Sequence, residues 1–144
     1  MMRRGEHPEY GNKLYHVTGY RDVYAHPEHP AWVLKIAKRD RYGCIEHNRR
    51  EWRIWNQYEG LREWLAPCVS ISEDGRELIQ VRGVPMTEQP RRIPDCFEDF
   101  KARNWVMLDG RPVMCDYGHT EIEAKLKKRG GRWSLVNVEE EVNT

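Results

Sequence analysis

No apolar run in this sequence approaches the roughly eighteen residues that a membrane-spanning helix needs, so a helical membrane protein is not expected. Its four cysteines, Cys44, Cys68, Cys96 and Cys115, lie far apart and form no C-x-x-C pair, which leaves no finger-like metal motif and no redox pair. The opening MMRRGEHPEY lacks the apolar core of a signal peptide. Together these absences lead us to expect reduced thiols and a cytoplasmic location. Charge of one sign is lacking too: 24 basic and 23 acidic residues leave a formal net charge of +1. A nucleic-acid reader that works mainly through bulk charge is therefore disfavoured. There is no internal repeat and no low-complexity tract, so a single globular domain is the starting point.

What is present fits such a domain. A chain of 144 residues can bury a substantial core without help from disulfides or metals. Six tryptophans and seven tyrosines supply large apolar faces in spite of the hydrophilic average. Residues 1–13 read as a flexible arm. Two β-type runs are predicted at Leu14 to Tyr24 and Trp32 to Ala37, joined by the turn-forming HPEHP. Cys44 to Tyr58 has helix formers, with an apolar stripe of Ile45, Trp52, Trp55 and Tyr58. A short helical LREWLA follows, then CVSIS and ELIQVRGV separated by EDG, a hairpin signal. MTEQPRRIP reads as an extended linker. NWVML and PVMCDY flank Asp109-Gly110, a second hairpin, and a short helix over 121–128, a Gly130-Gly131 turn and a short strand end the chain. The predicted class is α+β, an antiparallel sheet with one main helix and a late hairpin.

The polar landmarks on this scaffold resemble the protein-kinase-like superfamily over roughly residues 14–118, in a truncated, minimal form similar to small viral or microbial kinase-like proteins. WVLKIA offers Lys35 in the place of the family's strand lysine, and NRREW offers Glu51 in the place of the helix glutamate that holds it. DFKARN matches the catalytic loop in having Asp99, Lys101 and Asn104 at the family's spacing. CDYG then offers Asp116, Tyr117 and Gly118 where the family has D-F-G. The resemblance implies a nucleotide site for ATP with Mg2+. Asp99 and Lys101 would be catalytic, Asn104 and Asp116 would hold the metal, and Lys35, Glu51, Gly19 and Arg21 would serve the nucleotide. It divides the domain 14–144 into an N-lobe-like part at 14–86, a linker with catalytic and metal hairpin at 87–118, and a tail at 119–144.

Three departures from the pattern shape the functional expectation. In VTGYRDVY, Gly19 falls between the second and third glycine places of the family's loop, which become Thr18 and Arg21, so Arg21 is expected to touch phosphate itself. Phe97-Glu98 stands in place of the His-Arg pair before the catalytic aspartate. The family's C-terminal helical lobe is expected to be largely missing, leaving a surface for a protein partner, a second copy, or the returning tail. A minimal Mg-ATP phosphotransferase is the leading expectation. The alternatives are a catalytically inactive kinase-like protein that binds and inhibits a host protein, and a small nucleic-acid-binding domain.

Plainer readings stand beside these. Lys35 and Glu51 can pair for structure alone, and Asp99 and Asp116 can be turn residues. His26 and His29 of HPEHP suit an exposed turn, and neither they nor Cys44-Ile-Glu-His47 are read as a metal site. Trp52, Trp55 and Trp64 are assigned to core or interface packing.

Overall fold

The computed structural model describes residues 6–7, 11–15, 20–38, 43–97 and 104–138. Among them the α+β class holds: antiparallel sheets, two α-helices and one 3-10 turn. The chain begins β1 (Glu6–His7), β2 (Gly11–Tyr15), β3 (Arg21–Ala25) and β4 (Trp32–Ala37), followed by α1 (Cys44–Gln57) and a 3-10 segment at Glu59–Trp64. Next come β5 (Cys68–Ile71), β6 (Glu77–Val81), β7 (Val84–Pro85) and β8 (Arg92–Pro94). β9 (Trp105–Leu108), β10 (Arg111–Met114), α2 (Thr120–Lys128) and β11 (Leu135–Asn137) complete the order.

The main sheet has six strands in the order β1-β2-β3-β4-β6-β5. The single run expected from Leu14 to Tyr24 is divided into β2 and β3, which pair antiparallel with Lys13 opposite Tyr24. The sheet also reaches further towards the N-terminus than the expected arm allows, since Glu6 pairs with Asn12 and His7 with Gly11. β4 is central and buried along nearly its whole length, as a strand covered on both faces must be. Its odd-numbered residues share one face with β3 and β6 through the pairs Arg21 with Ala37, Val23 with Lys35, Lys35 with Leu78 and Val33 with Gln80. α1 lies across this face.

Both predicted hairpins form. Gly75, at φ 76°, supplies the left-handed residue between β5 and β6. Asp109 (φ 50°) and Gly110 (φ 76°) make the two-residue turn between β9 and β10, with Leu108 opposite Arg111. The stretch expected to be linker contributes one short strand, β8 against β11, and just before it β7 pairs with β9.

That last pairing shows what the tail does. Leu135 sits opposite Pro94 and Asn137 opposite Arg92, while Ile122 and Leu126 of α2 enter the main core beside Ile54, Leu61, Leu78, Trp105 and Tyr117. The segment after Gly118 therefore folds back and closes the core. Trp52, Trp55 and Trp64 pack half-buried against this core, as their spacing suggested. No helix among the described residues is long and apolar enough to cross a membrane.

Candidate functional site

The site is built on the face of α1 that meets the sheet, and that face is polar. The helix buries Cys44, His47, Asn48, Glu51 and Ile54, while Ile45 of the expected apolar stripe is exposed. Buried polar residues need partners, and here they find them in the strands, turns and the loop after β10 that pack against the helix. Asn48 Nδ2 lies near the backbone oxygens of Lys35, Gly75 and Arg76 at 3.2, 3.1 and 2.9 Å, fixing the helix over the end of the sheet.

Glu51 is the hub. Its Oε1 accepts from Lys35 Nζ at 2.5 Å, Gln80 Nε2 at 2.9 Å and Arg21 Nη1 at 3.2 Å. Its Oε2 accepts from Arg21 Nη2 at 3.1 Å and from the backbone N–H groups of Tyr117 at 3.1 Å and Gly118 at 3.0 Å. Burial acts to raise this carboxyl, but the Arg21 and Lys35 charges outweigh it and hold the group at about 2. The expected Lys35–Glu51 pair is thus formed, and Lys35 Nζ also donates to the backbone oxygen of Cys115.

Asp116 stands at the mouth of the site, with a quarter (25%) of its side chain open to solvent. Its Oδ1 lies 2.8 Å from Arg21 Nη2, 2.9 Å from His47 Nε2 and 3.8 Å from His119 Nε2. Burial favours the neutral acid, yet the hydrogen bond with His47 and the Arg21 charge keep this carboxyl well below its ordinary range. Burial, reinforced by the Arg21 charge, lowers His47, which leaves its imidazole neutral near pH 7. Tyr20 stacks on His47 with ring centroids 5.3 Å apart, and the His119 ring stands nearly perpendicular to that of His47 at 5.2 Å.

Gly118 lets these parts meet. A Cβ at this position would lie 2.4 Å from the His47 backbone oxygen, so only glycine allows the 116–119 segment to run against α1. Arg50 donates to the Gly118 oxygen at 3.0 Å, and Arg53 grips Glu123 of α2 through two bonds of 3.0 Å. Tyr117, wholly buried, donates to the Ala66 oxygen at 2.8 Å and anchors the segment from the core side.

Of the residues singled out in the sequence, Lys35, Glu51, Arg21 and Asp116 converge on one point. Arg21 is turned inwards, bidentate on Glu51 and bonded to Asp116, where a phosphate contact was expected from it. Asn104 sits just before β9, its backbone oxygen accepting from Cys115 N at 2.8 Å, and its buried Nδ2 has no hydrogen-bond partner. Asp99, Lys101 and Gly19 lie outside the described residues. Sequence reasoning missed His47, Asn48, Gln80 and His119. His47 could have been found from its place one turn before Glu51 on the same helix face, and His119 from its position directly after the D-Y-G triplet.

No protein-family model matches this chain, and no curated protein matches it.

Proposed function

We propose that this chain is a kinase-like nucleotide-binding protein whose site is centred on Lys35, Glu51 and Asp116. The observation that carries this reading is the Lys35–Glu51 ion pair placed against the Cys115-Asp116 backbone. A lysine held by a helix glutamate beside a partly exposed carboxylate is the arrangement in which a cation meets phosphate oxygens and an acid meets their metal. Asn104 and Asp116 are the residues to hold Mg2+ in this reading, and Asp116 has the solvent access that role needs. Asn104 offers an amide oxygen of suitable hardness, and its backbone bond with Cys115 sets it beside the residue that precedes Asp116. The bound metal would neutralise charge on the phosphates.

A second reading, nucleotide binding without efficient phosphoryl transfer, is favoured by Arg21. Its guanidinium occupies Oδ1 of Asp116 and both oxygens of Glu51, so a carboxylate needed for metal is already partly neutralised. Transfer depends on accurate placement of charge, and a competing cation of this kind lowers it more than it lowers binding.

Thermal unfolding with and without magnesium-ATP tests the proposal on the parent chain and on Asp116→Asn and Lys35→Met. At a hundred times the dissociation constant the ligand stabilises by about 2.7 kcal/mol. The parent is expected to shift and both variants to shift less. An unmoved parent overturns the nucleotide reading, and a shift without phosphate release or transfer selects the second one.

A further inference from the structure

We propose that His47, Asp116 and His119 form a binding site for a first-row divalent transition metal, with zinc as the type ion. This is a separate claim from nucleotide binding and does not require it. The three ligand atoms, one from α1, one from the loop after β10 and one from the residue that starts α2, lie within 4.8 Å of one another.

The geometry is close to what a metal requires. Bonds of about 2.0–2.1 Å around a tetrahedral ion set neighbouring ligand atoms roughly 3.4 Å apart. The His47–Asp116 and His119–Asp116 separations, 2.9 and 3.8 Å, bracket that value. Both imidazole Nε2 atoms already face the same carboxylate oxygen, and no two of the three ligand atoms are more than 4.8 Å apart. Three protein ligands leave at least one coordination position for water or an anion.

A second observation points the same way. His119 Nε2 is shut off from solvent and has no hydrogen-bond partner, although it lies beside an acid. Left so, a buried polar nitrogen costs stability, and a metal bond would satisfy it. His119 does not earn its place by capping either, since its side chain makes no cap bond to α2.

Charge decides which metal. Arg21, Lys35, Glu51 and Asp116 cancel one another, so without nucleotide phosphates to add negative charge the protein alone offers little to a hard cation. Affinity must come from the imidazoles, which suit zinc and its neighbours and hardly bind magnesium or calcium. Arg21 stays anchored on Glu51 and Asn48, and the metal takes a lone-pair direction of Asp116 that Arg21 leaves free.

The test uses the full chain, stripped of metal with a chelator and titrated with Zn2+ by calorimetry in the absence of nucleotide, with Co2+ as a visible-absorption probe. One equivalent is expected to bind, with cobalt d–d bands. His119→Ala should weaken it roughly a hundredfold, at the upper end of what loss of even a supporting contact costs. The double change His26→Ala and His29→Ala, at the exposed turn, should leave it unaltered. Should His119→Ala not fold, ring NMR of the parent decides, since zinc must move the resonances of His47 and His119. Failure to bind, binding that survives His119→Ala, loss of binding with the His26 and His29 changes, or silent His47 and His119 rings overturns the site. Because magnesium-ATP is absent throughout, failure here leaves the nucleotide reading standing, and the reverse also holds.

Discussion

Glu51 takes six donors on two oxygens, and its worth to the protein follows from what it leaves behind when changed. Removing its charge strands Arg21 and Lys35, both almost wholly buried, with Asp116 as the only nearby acid of the cluster. Breaking a buried pair from one side costs about 3–5 kcal/mol, far more than the net value of the pair itself. Glu51→Gln is therefore expected to lower the unfolding free energy by about that amount in a urea titration. A loss under about 1 kcal/mol, the range of surface pairs, would show that solvent reaches the cluster. That Lys35, Glu51 and Asp116 belong to one cluster was legible because each occupies a recognisable place in a short motif. Arg21 was legible only as a departure from glycine. What it touches depends on residues 30 and 95 positions away, which local sequence does not report.

At the scale of elements, α1 shows why hydrophobic periodicity found the helix and misjudged its face. The count of apolar residues marks Ile45, Trp52 and Trp55, yet the buried line is Cys44, His47, Asn48, Glu51 and Ile54. A polar stripe can be buried when the strands below supply matching groups, and Lys35, Arg21 and Gln80 do so. The tryptophans then serve the flank of the helix, where half-burial suits a large ring. The hairpins were readable almost to the residue, because Asp109-Gly110 and the glycine of EDG enforce backbone angles that other residues resist. β7 and β8 were not, since strands of two or three residues carry no periodicity and are fixed by their partners, whereas the short strand β11 was expected after the Gly130-Gly131 turn. α2 carries a prediction at this scale. Leu126 is wholly buried in the main core, so Leu126→Ala should cost about 2–5 kcal/mol, seen as a lower urea midpoint. It should also raise hydrogen exchange across 120–128 and the β8–β11 pair. Unchanged protection there would mean that the tail is not part of the cooperative unit.

For the molecule as a whole, the acids that hold the site also set its response to pH. Glu51 ionises at about 2 in the folded chain against an ordinary value of 4.5, so the folded state binds fewer protons between those values. Its contribution is complete above about 4.5 and is lost as pH falls through about 2. Asp116 acts in the same direction. Urea midpoints should accordingly decline as pH falls through the ordinary imidazole range, because folding holds His47 below its usual value, and then fall more steeply below about 4.5 as the carboxyls protonate, and Glu51→Gln should flatten that second fall. A parent whose midpoint is level down to pH 2 would contradict the clustered charges. The architecture as a class was readable because one long helix and two strong turns leave few ways to arrange the strands between them. The order of the sheet, with β6 between β4 and β5, was not written locally, because it follows from how the chain crosses α1.

The bond from Lys35 to the Cys115 backbone joins residues 80 positions apart. During synthesis the strand bearing Lys35 and the helix bearing Glu51 emerge early, with two of the site's cations and one of its acids. Asp116, Gly118 and the stretch that clasps β8 come later. Closing a loop of that length carries roughly 4 kcal/mol of entropy, which a partial chain has nothing to offset. Assembly of the site thus waits until residues 115–118 have been made. A ribosome stalled before residue 116 would carry a nascent chain whose Arg21 and Glu51 face each other without the acid that completes them.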